Sequence, residues 1–197
     1  MTDLSSTQIA ALLNHSLNHV LQVCVLELLV DGHLRDVDPN EERVCLKFVS
    51  QPSLKYQRVV VNFYQDRRSV EEAVDDEIVA HFLVELLDSL LEEGLLEKHG
   101  IVSKKFICTP AGERVAQSEV EWLKRGKSTL ARGLNKQLIR AFAVSQEVVF
   151  LFSPRFRGLF RLRAAEDKKP EDWFYATWHY ANRYEAMKDA IRQRFGL

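Results

Sequence analysis

Apolar residues along the first half of the chain recur at intervals that switch between helical and extended. Ile9, Leu13, Leu17, Val20 and Cys24 follow one another at helical spacing. Ser5 and Gln8 stand before them at capping-box spacing, in which each side chain satisfies the other's orphan backbone donor. The pattern predicts one helix from Ser5, apolar at nearly every position from Val20 to Val30 and ended by Asp31 and Gly32. Two β-rich runs follow, residues 43–49 and 58–64, around the turn-like Gln51-Pro52-Ser53, and together they read as a hairpin. Val59, Val60 and Val61 argue for the second strand, because branching at Cβ costs rotamer freedom in a helix.

A long helical pattern then runs over residues 69–93. Ser69 and Glu72 form a second capping-box pair, Ile78, Phe82, Leu86 and Leu90 make an apolar stripe, and Gly94 stops the helix. Residues 104–108 read as a short strand, Thr109 as an N-cap and Pro110 as the first residue of the next helix. A basic helix is expected over residues 128–144, then strands at 148–152 and 156–163 separated by Ser153 and Pro154. The last helix begins near Pro170, with Glu171 and Asp172 in its first turn and Arg192 and Arg194 in its last, as its dipole prefers. Helix, strand, strand, helix thus recurs twice without a residue-level repeat. The reading is an α+β protein, a winged-helix-like element plus a second helix-hairpin-helix unit. An acidic half, 1–121, would be followed by a basic half, 122–197, with one compact domain as the alternative.

Composition changes this picture little: 46% hydrophobic and 28% charged residues are those of a chain that collapses to a core. The segment before the first apolar residues carries no basic cluster, and no apolar run approaches the roughly 18 residues of a bilayer span. A cytoplasmic protein without membrane insertion is the expectation. Cys24, Cys45 and Cys108 are odd in number, far apart and set among apolar neighbours, which argues for reduced buried thiols.

Charge changes it more. The net charge of −1 hides 21 acids against 11 bases up to Glu121, and ten bases against the single acid Glu147 over residues 122–163. Those ten are Lys124, Arg125, Lys127, Arg132, Lys136, Arg140, Arg155, Arg157, Arg161 and Arg163. In Arg155-Phe156-Arg157 and its continuation to Arg163, strand alternation would set the arginines on one face and Phe156, Phe160 and Leu162 on the other. Successive arginines would then stand roughly 7 Å apart, close to the spacing of phosphates. The competing explanations are a charged edge strand that resists edge pairing, or arginines matched by the acidic half.

Residues 76–117, with LLDSLLEEGLLEKHG followed by KKFICTPAGERVAQ, resemble the end of a winged-helix domain of the MarR or PadR kind. The resemblance implies a helix closing on LLEEGLL, a two-stranded wing and a further helix entered through TPAGERV. In a DNA-binding winged helix the helix before the wing would read bases and phosphates with Lys, Arg, Asn or Gln. Here it carries Glu71, Glu72, Asp75, Asp76, Glu77, Glu85, Asp88, Glu92 and Glu93 and no base from Ser69 to Leu96, with only Lys98, Lys104 and Lys105 near the wing. A protein-facing winged helix fits that better.

Other motifs weigh less. Gly126-Lys127-Ser128-Thr129 lacks the first glycine of a phosphate loop, whose place Glu121 takes. His15 and His19, four residues apart, would share a helical face suited to a metal ion, but no third ligand lies nearby in sequence. No catalytic arrangement stands out, and no cofactor or metal is called for. Trp173, Tyr180, Tyr184, Met187 and Ile191 form a C-terminal stripe that reads first as core, with a homodimer contact from any exposed remainder.

Two functions follow as expectations. One is a non-catalytic adaptor or regulator that binds DNA or RNA through the basic hairpin and a protein through its acidic half. The other is a protein-interaction module or homo-oligomeric scaffold in which acidic and basic halves neutralise each other.

Overall fold

In the computed structural model of the chain, residues 4–37, 44–70, 72, 74–99, 105–127 and 130–153 are described. Helix α1, Ser6–Leu12, starts at a complete capping box: the Gln8 amide donates to Ser5 Oγ at 3.1 Å and the Ser5 amide to Gln8 Oε1 at 3.0 Å. The single long helix expected here is two. Asn14 takes φ of +56°, a left-handed conformation that asparagine tolerates, and Ser16 caps a fresh start by accepting from the His19 amide at 3.3 Å. Helix α2, Leu17–Val30, is buried almost all round, with Val20, Leu21, Val23, Cys24, Val25, Leu26 and Leu28 in the core. Gly32, at φ +77°, turns the chain out of it.

Strands β1, Leu34–Asp36, and β2, Cys45–Phe48, pair antiparallel with Leu34 opposite Phe48, and β3, Arg68–Ser69, adds to the other edge of β2. The expected hairpin partner of β2 is instead helix α3, Lys55–Phe63. Tyr56, Val59, Val60 and Phe63 are buried at helical spacing, and α3 packs on the next helix. Burying that face outweighs the few tenths of a kcal/mol that each β-branched valine costs in a helix.

Helix α4, Asp76–Glu92, begins later than Ser69, which belongs to β3, although the Ser69 amide does donate to Glu72 Oε1 at 3.0 Å. Gly94, at φ +67°, ends it. Strands β4, Leu96–His99, and β5, Lys105–Cys108, form the expected antiparallel ribbon, with Glu97 opposite Ile107. Thr109 caps helix α5, Pro110–Gly126, by accepting from the Gly112 amide at 3.1 Å, and Pro110 opens it. A Cβ on Gly112 would lie 2.3 Å from the Leu95 carbonyl oxygen and 2.6 Å from Cys108 Sγ, so the approach of α5 to the ribbon requires glycine.

Helix α6, Lys136–Val144, begins eight residues after the expected Ser128, at an Asn135 cap that accepts from the Leu138 amide at 2.9 Å. The strand expected over 148–152 is instead a 3₁₀ turn, Gln146–Leu151, whose Val148 is buried. The following Phe152 packs edge-on against Phe142 at 5.5 Å. Helix, strand, strand, helix occurs twice among the described residues, as α2-β1-β2-α3 and as α4-β4-β5-α5, at other bounds than those expected. The second hairpin strand and the C-terminal helix lie outside the described residues. The mixed helix and strand character expected of an α+β protein is borne out. Helix α5 crosses residues 121 and 122 without a break, and α6 packs on α1 and α2 within one shared core.

Candidate functional site

Six of the ten basic residues fall on α5, on α6 and between them. Lys124 and Arg125 are exposed on the last turn of α5, where cations favour the helix dipole. The Arg125 guanidinium donates from Nε to the Glu121 carbonyl oxygen at 3.3 Å. Lys127 follows the helix and holds Glu147 at 2.8 Å; this hydrogen bond and charge keep the Glu147 carboxyl below its ordinary value. Lys136, at the start of α6, meets Asp31, the C-cap of α2, at 2.6 Å.

Arg140 makes the strongest of these pairs. Its Nε donates to Glu119 Oε2 at 2.8 Å and its Nη2 to Oε1 at 2.6 Å, a two-pronged contact that only a planar guanidinium makes. Glu119 is 7% exposed, and the Arg140 guanidinium also sits 5.8 Å from the Trp122 ring centroid. Because the carboxylate is out of water, losing its partner would cost more than a surface pair does.

The structure thus divides the proposed patch. Lys127, Lys136 and Arg140 face the protein's own carboxylates, and Lys136 and Arg140 reach across from the basic half to Asp31 and Glu119 of the acidic half. Lys124, Arg125 and Arg132 are exposed without a carboxylate partner among the described residues. Arg155, Arg157, Arg161 and Arg163 lie outside the described residues.

Helix α4 cannot serve as a groove reader over its middle turns, because residues 81–87 are all buried. Two of them are polar: His81 Nε2 stands 3.6 Å from Glu85 Oε1, deep in the structure. Of the carboxylates noted there, Glu72, Asp75, Glu77, Glu92 and Glu93 are exposed. On the β4-β5 ribbon, the Lys98 ammonium lies over the Phe106 ring at 5.8 Å.

His15 and His19 do approach each other, but not on one helix face. His15 belongs to the link between α1 and α2; its ring meets that of His19 edge-on at 4.6 Å, and its Nε2 lies 3.2 Å from the Val144 carbonyl oxygen. His19 packs on Phe142 at 4.5 Å. Burial first, then the His15 charge, push its pKa down to about 3, although the Ala143 and Phe142 carbonyls lie near enough to oppose the shift. Neither ring nitrogen of His19 has a hydrogen bond of normal geometry. The pair fastens the end of α6 to the core, and no group of three metal-ligating side chains occurs among the described residues. Gly126 closes α5 and Lys127 is engaged by Glu147, which is no phosphate cradle.

Two features were missed from sequence. Glu27, the lone acid in the apolar run of α2, accepts the Ser6 amide at 2.5 Å, the Thr7 amide at 3.2 Å and the Thr7 hydroxyl at 2.5 Å, so it caps α1 from another helix. Its isolation among apolar residues was the available signal. The second is an open groove of about 480 Å³ between α1, β5 and α5, with Leu12, Leu13, Ala116 and Val120 along it and Glu121 and Lys124 beside it.

No helix among the described residues is long and apolar enough to cross a membrane. The chain matches no family model, no curated protein and no solved structure.

Proposed function

We propose that the chain is a non-catalytic protein-interaction module whose basic segment serves chiefly to join its own two halves. The observation that carries this reading is the pairing of Lys136 with Asp31 and of Arg140 with Glu119, which uses bases of the second half to match acids of the first. The buried middle of α4 supports it, since residues 81–87 are enclosed by the fold and withheld from a nucleic-acid groove. The half-apolar groove between α1 and α5 offers such a module a surface of the right kind. Light scattering on the purified chain tests the reading: a mass twice that of a single chain, unchanged at high salt, is expected for a homo-oligomeric scaffold. A strictly monomeric chain that also captures no protein partner contradicts it.

A second reading is favoured by Lys124, Arg125 and Arg132, which stand exposed without acidic partners among the described residues. Here the chain binds DNA or RNA, these three together with Arg155, Arg157, Arg161 and Arg163 contacting phosphates. Replacing Arg157, Arg161 and Arg163 by alanine then weakens binding and flattens its salt dependence.

A further inference from the structure

Helix α5 has two faces of different character. Gly112, Glu119 and Leu123 are buried against the rest of the fold, with Glu119 holding Arg140. On the side of the open groove of about 480 Å³ stand Glu113, Ala116, Gln117, Val120, Glu121 and Lys124. Their spacing alternates between three residues and one, which gathers them on a single stripe of the kind one helix presents to another. Ala116 and Val120 are only half-buried there, and Leu12 and Leu13 at the end of α1 form the opposite wall.

Charge selects what can lie in this groove. Glu113 near the start of α5 and Lys124 in its last turn are exposed, and neither has an ion pair among the described residues. They stand eleven residues apart on the stripe, about 16 Å along the helix axis. A helix laid against the stripe must therefore offer a base beside Glu113, an acid beside Lys124, and small or apolar residues between them. Helix α5 itself, run antiparallel, offers all three at the same separation, because its acid comes first and its base last. Two-fold symmetry then makes each contact twice. A parallel copy would set Glu113 against Glu113 and Lys124 against Lys124, which repel.

We propose that this face docks on the same face of a second copy of the chain, the two α5 helices running antiparallel about a two-fold axis midway between positions 118 and 119. Glu113 then meets the partner's Lys124 at each end of the contact. Gln117 lies opposite the partner's Val120, and the two Val120 side chains come together near the axis. The second helix also covers Leu13, half-buried at the end of α1. Ion pairs at such exposed positions add little affinity; they fix direction and register, while apolar contact holds the dimer together. The proposal rests on the protein-interaction reading and names that module's partner and surface.

Sedimentation equilibrium of the full chain, compared with Glu113→Lys, Lys124→Glu and the variant carrying both replacements, tests it. A dimer is expected for the unaltered chain. Each single replacement sets two like-charged pairs across the axis and should raise the dimer dissociation constant about ten-fold in about 50 mM salt. Carrying both restores opposite charges in exchanged positions and should return the constant to within about three-fold of its original value. Both positions are exposed, so far-UV circular dichroism should be unaltered, which assigns the change to association. A dimer indifferent to the single replacements, or weakened by them and not restored by the pair, overturns the proposal and leaves the protein-interaction reading standing. A monomeric chain that captures another protein does the same, and a monomer that captures none overturns both.

Discussion

Two side chains show how context decides what a charge does. Arg140 and Glu119 form a two-pronged pair with the carboxylate nearly out of water. A double-mutant cycle with Arg140→Met and Glu119→Gln, read by urea denaturation, should give a coupling of about 1–3 kcal/mol. The single variant Arg140→Met should cost the most, because it strands Glu119. His19 sets the behaviour in acid. Its pKa falls from 6.5 in the unfolded chain to about 3 when buried, so the unfolded state binds the extra proton between those values. Stability is therefore intact above pH 6.5 and is lost as pH falls towards 3, by about 2 kcal/mol at pH 5 from this group. Glu27, whose carboxyl burial raises, acts in the opposite sense, its contribution being greatest below its unfolded value. Denaturation at pH 7.5 and pH 5 should show His19→Leu losing less stability than the unaltered chain across that interval. A steeper loss in the variant would show that His19 is not the group responsible.

Elements whose signals were local could be read directly from sequence. The Ser5 and Gln8 capping box, the Gly94 stop and the Thr109-Pro110 start depend on neighbours within one turn, and each stands in the structure as read. Residues 59–61 misled because their valines favour a strand locally, whereas Tyr56, Val59, Val60 and Phe63 meet α4 only as a helix, a gain no local pattern records. The break at Asn14 was hidden by apolar residues that keep helical spacing across it. Likewise Asp31 and Glu119, the partners of Lys136 and Arg140, are remote from them in sequence, so the patch looked unopposed. The contact of α5 with the ribbon gives a test at this scale. Gly112→Ala puts a methyl group against the Leu95 carbonyl and Cys108 and should cost about 1–3 kcal/mol with a lower thermal midpoint. An unchanged midpoint would mean that α5 does not press on β4 and β5 as closely as described.

At the scale of the whole molecule, the asymmetry between the acidic and basic stretches becomes a means of assembly. The six described bases of residues 122–163 split evenly, Lys127, Lys136 and Arg140 pairing with the chain's own carboxylates and Lys124, Arg125 and Arg132 having no such partner among the described residues. Non-specific nucleic-acid affinity grows with the number of phosphates neutralised, so bases engaged by the chain's own carboxylates contribute less to it. The most direct test is fluorescence anisotropy of a labelled DNA duplex and a labelled single-stranded RNA titrated with the chain at about 50 mM and 200 mM salt. The account predicts no saturable binding at either salt concentration. Binding that tightens steeply as salt is lowered would contradict it and would return the basic residues to a nucleic-acid surface.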